Sequence, residues 1–240
     1  MTRRLVALVG VTGFVLCAIL ALASVDGAGV SPDEALDRLQ EGNAHFLAEA
    51  PTHRNRDMAR RAVTARRGQF PFAMILSCSD SRVPVEILFD QGVGDIYSVR
   101  TAGNVSGIMQ LGSLEYGAEH LGARLLVVLG HSRCGAVTSV VRGDEATGNI
   151  PAAVAPIVPV VKAVRDAHPG ASHDELVEKA AVRNVFQVIA DIYAGSPVLR
   201  EMARSGRIKV VGAYYHIETG KVDWLGEHPD RDRLLSRDPS

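Results

Sequence analysis

The chain has 240 residues, 47% hydrophobic and 22% charged, with a formal net charge of -1. That length and balance fit one good-sized α/β domain and exclude a pair of ordinary ones. A near-neutral chain has no bulk electrostatic reason to bind nucleic acid or an anionic membrane surface, which leaves a small neutral or anionic substrate as the open class.

The first four residues carry Arg3 and Arg4, and Leu5 to Ala23 follow without a charge. Ala21-Leu22-Ala23 offers a small-x-small cleavage site just ahead of the first acid, Asp26. This is the layout of a secretory signal peptide, so residues 1–23 are read as the leader of an exported, periplasmic or secreted protein. The apolar run is also near the length that spans a bilayer, so a retained membrane anchor is the alternative, and membrane contact is expected only if the leader is uncleaved. Of three cysteines, Cys17 falls in the leader, leaving Cys78 and Cys134 to the mature chain. In an oxidising compartment the plain expectation for two cysteines is a disulfide; their surroundings argue for another use.

Ser31-Pro32-Asp33-Glu34 reads as a helix cap, and Leu36, Leu39, Phe46 and Leu47 carry helical spacing to about Ala50. Arg54 to Arg67 is a basic helical stretch with a solvated face. Phe70 to Ser77 reads as a buried strand, Val85 to Phe89 as a short helix, and Ile96 to Arg100 as a second strand. Met109 to Leu121 is helical and ends at Gly122. Leu125 to Leu129 is a third strand and Gly135 to Val141 a helix. Pro151 to His168 and His173 to Ala203 are helical, broken at Pro169-Gly170 and Gly195-Ser196-Pro197. Ile208 to Tyr215 is a fourth strand, and Val222 to Leu225 pairs back on it through the turn Glu218-Thr219-Gly220-Lys221. The pattern predicts a mainly parallel α/β sheet of about four strands plus an antiparallel edge strand, helices on both faces and an N-terminal helical arm. The domain is placed at residues 31–226, with residues 227–240 as a flexible tail.

Three polar segments fall at the C-terminal ends of predicted strands, the edge where open α/β sheets place their sites. They are Cys78-Ser79-Asp80-Ser81-Arg82, Arg100-Thr101-Ala102-Gly103-Asn104 and His131-Ser132-Arg133-Cys134-Gly135. Two thiolates and an imidazole make a soft site suited to Zn2+, and a Cys2His set with an open fourth position is a catalytic pattern. A metal-bound thiolate is not free to form a disulfide, which reconciles two cysteines with export. Asp80 has two options: pairing with Arg82, or filling the fourth position. Paired, it stays ionised, can only accept hydrogen bonds, and would orient a zinc-bound hydroxide. Zinc brings the pKa of its water to about 7, which suits hydration of CO2 at neutral pH.

These segments, with Ile87-Leu88-Phe89-Asp90-Gln91-Gly92, Ser113-Leu114-Glu115-Tyr116, Leu129-Gly130-His131-Ser132-Arg133-Cys134-Gly135-Ala136-Val137 and Val211-Gly212-Ala213-Tyr214-Tyr215, resemble the β-class carbonic anhydrases from about Gln69 to Leu225. The resemblance implies one Zn2+ per subunit on Cys78, His131 and Cys134, an Asp80/Arg82 dyad, and a closed form with Asp80 as fourth ligand. It implies CO2 and bicarbonate as substrates, with Gly135 N–H and Gln69 as substrate contacts, Gln69 lying near a dimer interface. A homodimer or homotetramer with N-terminal helices wrapping a second subunit follows, as does reversible CO2 hydration. Hydrolysis of carbonyl sulfide or carbon disulfide, and non-catalytic binding of bicarbonate by a zinc-containing protein, are the alternatives. Members with a regulatory bicarbonate site carry Trp where Ile75 stands, so that site is not expected here, and Arg100 is read as a structural partner. Tyr97 is the nearest candidate for an aromatic pocket wall. The remaining histidines, His45, His53, His120, His168, His173, His216 and His228, have no metal spacing.

Overall fold

The structure is a computed structural model and describes residues 29–236. The expected leader, residues 1–23, therefore lies outside the described residues. Helix α1 spans Pro32–Leu47, with Ser31 Oγ accepting from Glu34 N at 3.2 Å and two acids in the first turn, where the helix dipole favours them. Helix α2 (Met58–Arg67) buries none of its residues. Then come β1 (Ala73–Cys78), α3 (Val85–Leu88), β2 (Ile96–Thr101), a 3-10 turn at Ala102–Asn104 and α4 (Ile108–Glu119). Next are β3 (Leu125–His131), α5 (Gly135–Arg142), α6 (Ile150–Val154), α7 (Ile157–Ala167), α8 (His173–Gly195) and α9 (Pro197–Arg204). Strands β4 (Lys209–Tyr215) and β5 (Val222–Gly226) and helix α10 (Arg231–Leu235) are the last elements of the described residues.

The five strands form one sheet in the order β2-β1-β3-β4-β5, parallel throughout except for β5, which pairs antiparallel with β4. This is the expected α/β architecture. Strands β1 and β3 are buried at every position, as central parallel strands must be when helices cover both faces. Alternate residues feed opposite layers. Met74, Leu76, Leu126, Val128 and Val210 pack with α4, α8, α9 and α10. Ala73, Ile75, Leu125, Val127, Leu129 and Val211 pack with α1 and α3, where Leu39, Leu88 and Phe89 are buried. Each such Leu or Val withdrawn from water contributes about 1.5–3 kcal/mol, so the two-sided core dominates stability. Helix α1 covers its own sheet through Ala35 and Leu39.

Three expectations shift. The helix expected over Pro151 to His168 is two, α6 and α7, because Pro156 has no N–H to continue the ladder and its ring crowds the preceding turn. Residues 227–240, read as a flexible tail, include α10, whose Leu234 and Leu235 are buried against α8 and α9. Their apolar side chains outweigh the charged neighbours that dominate the composition. Tyr97 lies opposite Met74 at the N-terminal end of β2, partly buried against the core and at the far end of the strand from the polar segments.

Candidate metal centre

The C-terminal edge of the sheet gathers the three polar segments. Cys78 is the last residue of β1, His131 the last of β3, and Cys134 the N-cap of α5. Between them, Ser132 N–H donates to Tyr215 O at 2.9 Å, Ile217 N–H donates to Ser132 Oγ at 3.0 Å, and Arg133 takes φ 52° to make the turn. Glu178 of α8 accepts from the strained Arg133 N–H at 3.1 Å and from Tyr214 O–H. Gly130 lets α8 press on the strand: a Cβ there would sit 2.7 Å from Val185 Cγ2.

The result is one buried cluster. The ligand atoms of Cys78, His131 and Cys134 all lie within 4.8 Å of one another, the only such group among the described residues. His131 is fully buried, and its Nδ1 lies 2.9 Å from Ser132 O. A carbonyl only accepts, so Nδ1 carries the proton and Nε2 keeps its lone pair. That Nε2 is buried and has no hydrogen-bond partner. The thiols tell the same story. The Cys134 thiol hydrogen-bonds Cys78 and holds it as a thiolate, well below the ordinary thiol range, while Cys78 and burial push Cys134 up. A divalent cation between the sulfurs would favour the thiolate form of both. Two soft sulfurs and one buried, unpartnered imidazole nitrogen fit Zn2+.

Asp80 and Arg82 stand beside this cluster. Arg82 Nε and Nη2 hold Asp80 Oδ1 and Oδ2 at 2.9 and 2.7 Å, a bidentate pair, and Arg82 N–H adds a third bond at 3.0 Å. The guanidinium brings the carboxyl down to about 2. Asp80 Oδ2 is 4.0 Å from His131 Nε2, yet Asp80 is outside the convergent donor set; its carboxylate faces Arg82. Arg100 donates from Nε to Cys78 O at 3.0 Å and from Nη2 to Asp80 O at 2.6 Å, the structural role read for it. Ile75 is fully buried in the core.

The two expected substrate contacts part company. Gly135 is exposed at the first turn of α5, where its N–H has no intrahelical partner. Gln69 is exposed just before β1, so the length of that strand separates it from the cluster within one chain. Sequence reasoning passed over Asp90, Glu178 and Asn184 as functional candidates; their partners lie far along the chain, beyond any local signal.

The comparisons agree with this geometry. The carbonic anhydrase family profile matches residues 73–222. A carbonic anhydrase of Mycolicibacterium smegmatis is 36% identical over 197 residues, covering 80% of this chain and 93% of the relative. Carbonic anhydrase 2 of Mycobacterium tuberculosis is 37% identical over 194 residues, covering 80% and 92%. Among solved structures, a β-carbonic anhydrase of Aspergillus fumigatus superposes with TM-score 0.65 at 23% identity, covering 85% of this chain and 94% of that one. Tetrameric β-carbonic anhydrases from Sordaria macrospora give 0.62 at 25%, covering 81% and 98%. A strand-end Cys/His/Cys cluster on this sheet, together with relatives aligned over nearly their whole length, makes the chain a member of the β-class carbonic anhydrases, enzymes that interconvert CO2 and bicarbonate.

Proposed function

We propose that the chain catalyses reversible, zinc-dependent hydration of CO2, with Cys78, His131 and Cys134 holding one Zn2+ per subunit and the Asp80–Arg82 pair orienting the reacting water. The observation that carries this reading is the orphaned, buried His131 Nε2 within 4.8 Å of two thiols, beside a bidentate carboxylate–guanidinium pair. Zinc bound there supplies a Lewis acid that brings the pKa of a water to about 7. The chain's own residues do the rest. Arg82 holds the Asp80 carboxyl down to about 2, so at neutral pH Asp80 is ionised, accepts a hydrogen bond and cannot donate one. It thereby fixes one direction of the attacking oxygen and leaves a lone pair for CO2. The Gly135 N–H, next to Cys134 and without an intrahelical partner at the first turn of α5, is the donor this reading assigns to a developing oxyanion, supported by the positive end of the helix.

The test is metal content measured alongside CO2 hydration on purified protein. One zinc per chain with fast hydration, nearly abolished by Asp80→Ala, is expected; full activity in that variant overturns the mechanism. Faster turnover of carbonyl sulfide or carbon disulfide reassigns the substrate, and zinc without turnover makes the chain a bicarbonate-binding protein.

The assembly we propose is a homodimer or homotetramer. Ile108 and Met109 of α4 are 86% and 76% exposed, an apolar pair in need of cover, and the related Sordaria enzymes are tetrameric. Gln69, remote from its own cluster, would then serve a neighbouring subunit's site. Light scattering that returns a monomer mass refutes this. Export is proposed from the charge and apolar pattern of residues 1–23. N-terminal sequencing of the mature protein tests it, and Met1 retained on a cytoplasmic form counts against it.

A further inference from the structure

The turn that caps the cluster is braced from α8 by one side chain. Asn184 is 1% exposed, and its Nδ2 donates to Gly103 O at 2.9 Å. Gly103 N–H in turn donates to Cys78 Sγ at 3.3 Å. Gly103 sits at φ 69°, ψ 21°, in the left-handed region, and a Cβ there would meet Ile157 Cδ1 at 2.5 Å. This one residue is gripped on both sides. The peptide before it points its N–H at the sulfur, and the peptide after it points its carbonyl at Asn184. Releasing the carbonyl frees the residue to turn and carries the N–H off the sulfur. The other half of the amide makes no stabilising contact, because Asn184 Oδ1 is buried without a partner. An unsatisfied buried amide oxygen is destabilising, and an apolar residue of the same shape would avoid that cost.

We infer that Asn184 is a positioning residue for the metal centre: through Gly103 it aims an N–H at Cys78 Sγ and sets how tightly that sulfur holds the metal. The inference rests on the zinc reading above. A hydrogen bond to a ligating sulfur favours the thiolate over the thiol and fixes its lone pairs, and outer partners of ligands contribute about 10–100-fold to metal affinity. Asn184 acts without touching a donor atom or the reacting atoms.

Asn184→Leu keeps the bulk and removes both polar atoms. Zn2+ affinity of the full chain, read by competition with a chromophoric chelator, is expected to fall by about 10–100-fold. The thiolate charge-transfer band of the Co2+-loaded protein is expected to shift, with the circular dichroism spectrum at saturating Zn2+ unchanged. Unchanged affinity and an unshifted band would overturn the inference, as would an affinity loss accompanied by a changed fold. A wild-type chain that binds no Zn2+ would instead remove the zinc reading itself. Should Asn184→Leu fail to fold, Asn184→Ala introduces no new bulk and gives the same two readouts.

Discussion

Asp80 and Asp90 sit on the same connection, between β1 and β2, and their surroundings could hardly differ more. Asp90 is fully buried and surrounded by donors: Thr52 N and Oγ1 at 2.6 and 2.7 Å, His45 Nδ1 at 3.2 Å, His53 N at 3.3 Å and Arg56 Nη2 at 3.4 Å. Those donors come from the end of α1 and the segment after it, so Asp90 pins the N-terminal arm to the sheet. Asp80 has one principal partner, Arg82, keeps 16% of its side chain exposed, and lies at the edge of the Cys/His/Cys cluster. A carboxylate whose lone pairs are all engaged is structural. One held ionised by a single cation, with acceptor capacity left over, is free to work on something else.

Asp80→Asn should therefore be the most damaging change to activity and among the mildest to stability. The amide keeps the shape but loses the obligatory acceptor character, so kcat is expected to fall by about 10²–10⁴-fold. Its pair with a half-exposed arginine is worth about 0–1 kcal/mol, so denaturant midpoints should barely move. Asp90→Asn should show the reverse. Removing a buried charge that organises several donors is expected to cost about 3–5 kcal/mol in urea unfolding, while kcat per folded, zinc-loaded chain stays near wild type. If both variants lost activity and stability together, the contrast would collapse.

Acid sharpens the contrast further. Burial pushes the Asp90 carboxyl up, but the hydrogen bonds from Thr52, His53 and His45 outweigh it and hold the group below the usual carboxylate range. A carboxyl whose folded pKa lies below its unfolded value, about 3.9, contributes stability above that value and loses it as pH falls toward the folded one. The stability gap between wild type and Asp90→Asn should therefore be flat from about pH 5 to 7 and shrink below about pH 4. Urea midpoints taken at each pH measure it, and a gap that widens on acidification would reverse the assignment.

How much of this was legible in the sequence follows from the range of the contacts. Strands β1 and β3 are continuous apolar runs because both faces are covered, and the Cys78 and His131 motifs adjoin them directly. The ion pair of Asp80 with Arg82 is local, two residues apart, and was readable as one of two options. The structural weight of Asp90 was not readable, since its donors lie 34 to 45 positions earlier and only the docked arm brings them in. Asn184 meets Gly103 across 81 positions, and Glu178 meets Arg133 across 45. Helix α8 supplies both, so the support of the Cys/His/Cys cluster is a property of helix docking, invisible to any motif. The α10 helix was missed for the opposite reason: its local composition is polar, and only Leu234 and Leu235 betray it.

The smallest expected effect separates charge from geometry at Asp80. Arg82→Lys keeps the positive charge, so Asp80 stays ionised, but a single ammonium cannot reproduce the two parallel bonds from Nε and Nη2. The bond from Arg82 Nη2 to Arg133 O, at 3.3 Å, is lost as well. Asp80 would then remain an acceptor with a looser aim. The expected fall in kcat is about 10-fold, less than the ~10²-fold that a full ångström of misplacement costs. Stopped-flow hydration of CO2 over a range of substrate concentrations measures it, with KM expected to hold because Arg82 is given no role in binding substrate. A loss as large as that of Asp80→Asn would mean that the guanidinium itself meets the reacting atoms. No loss at all would mean that ionisation of Asp80 suffices and that the bidentate geometry contributes nothing to the reaction.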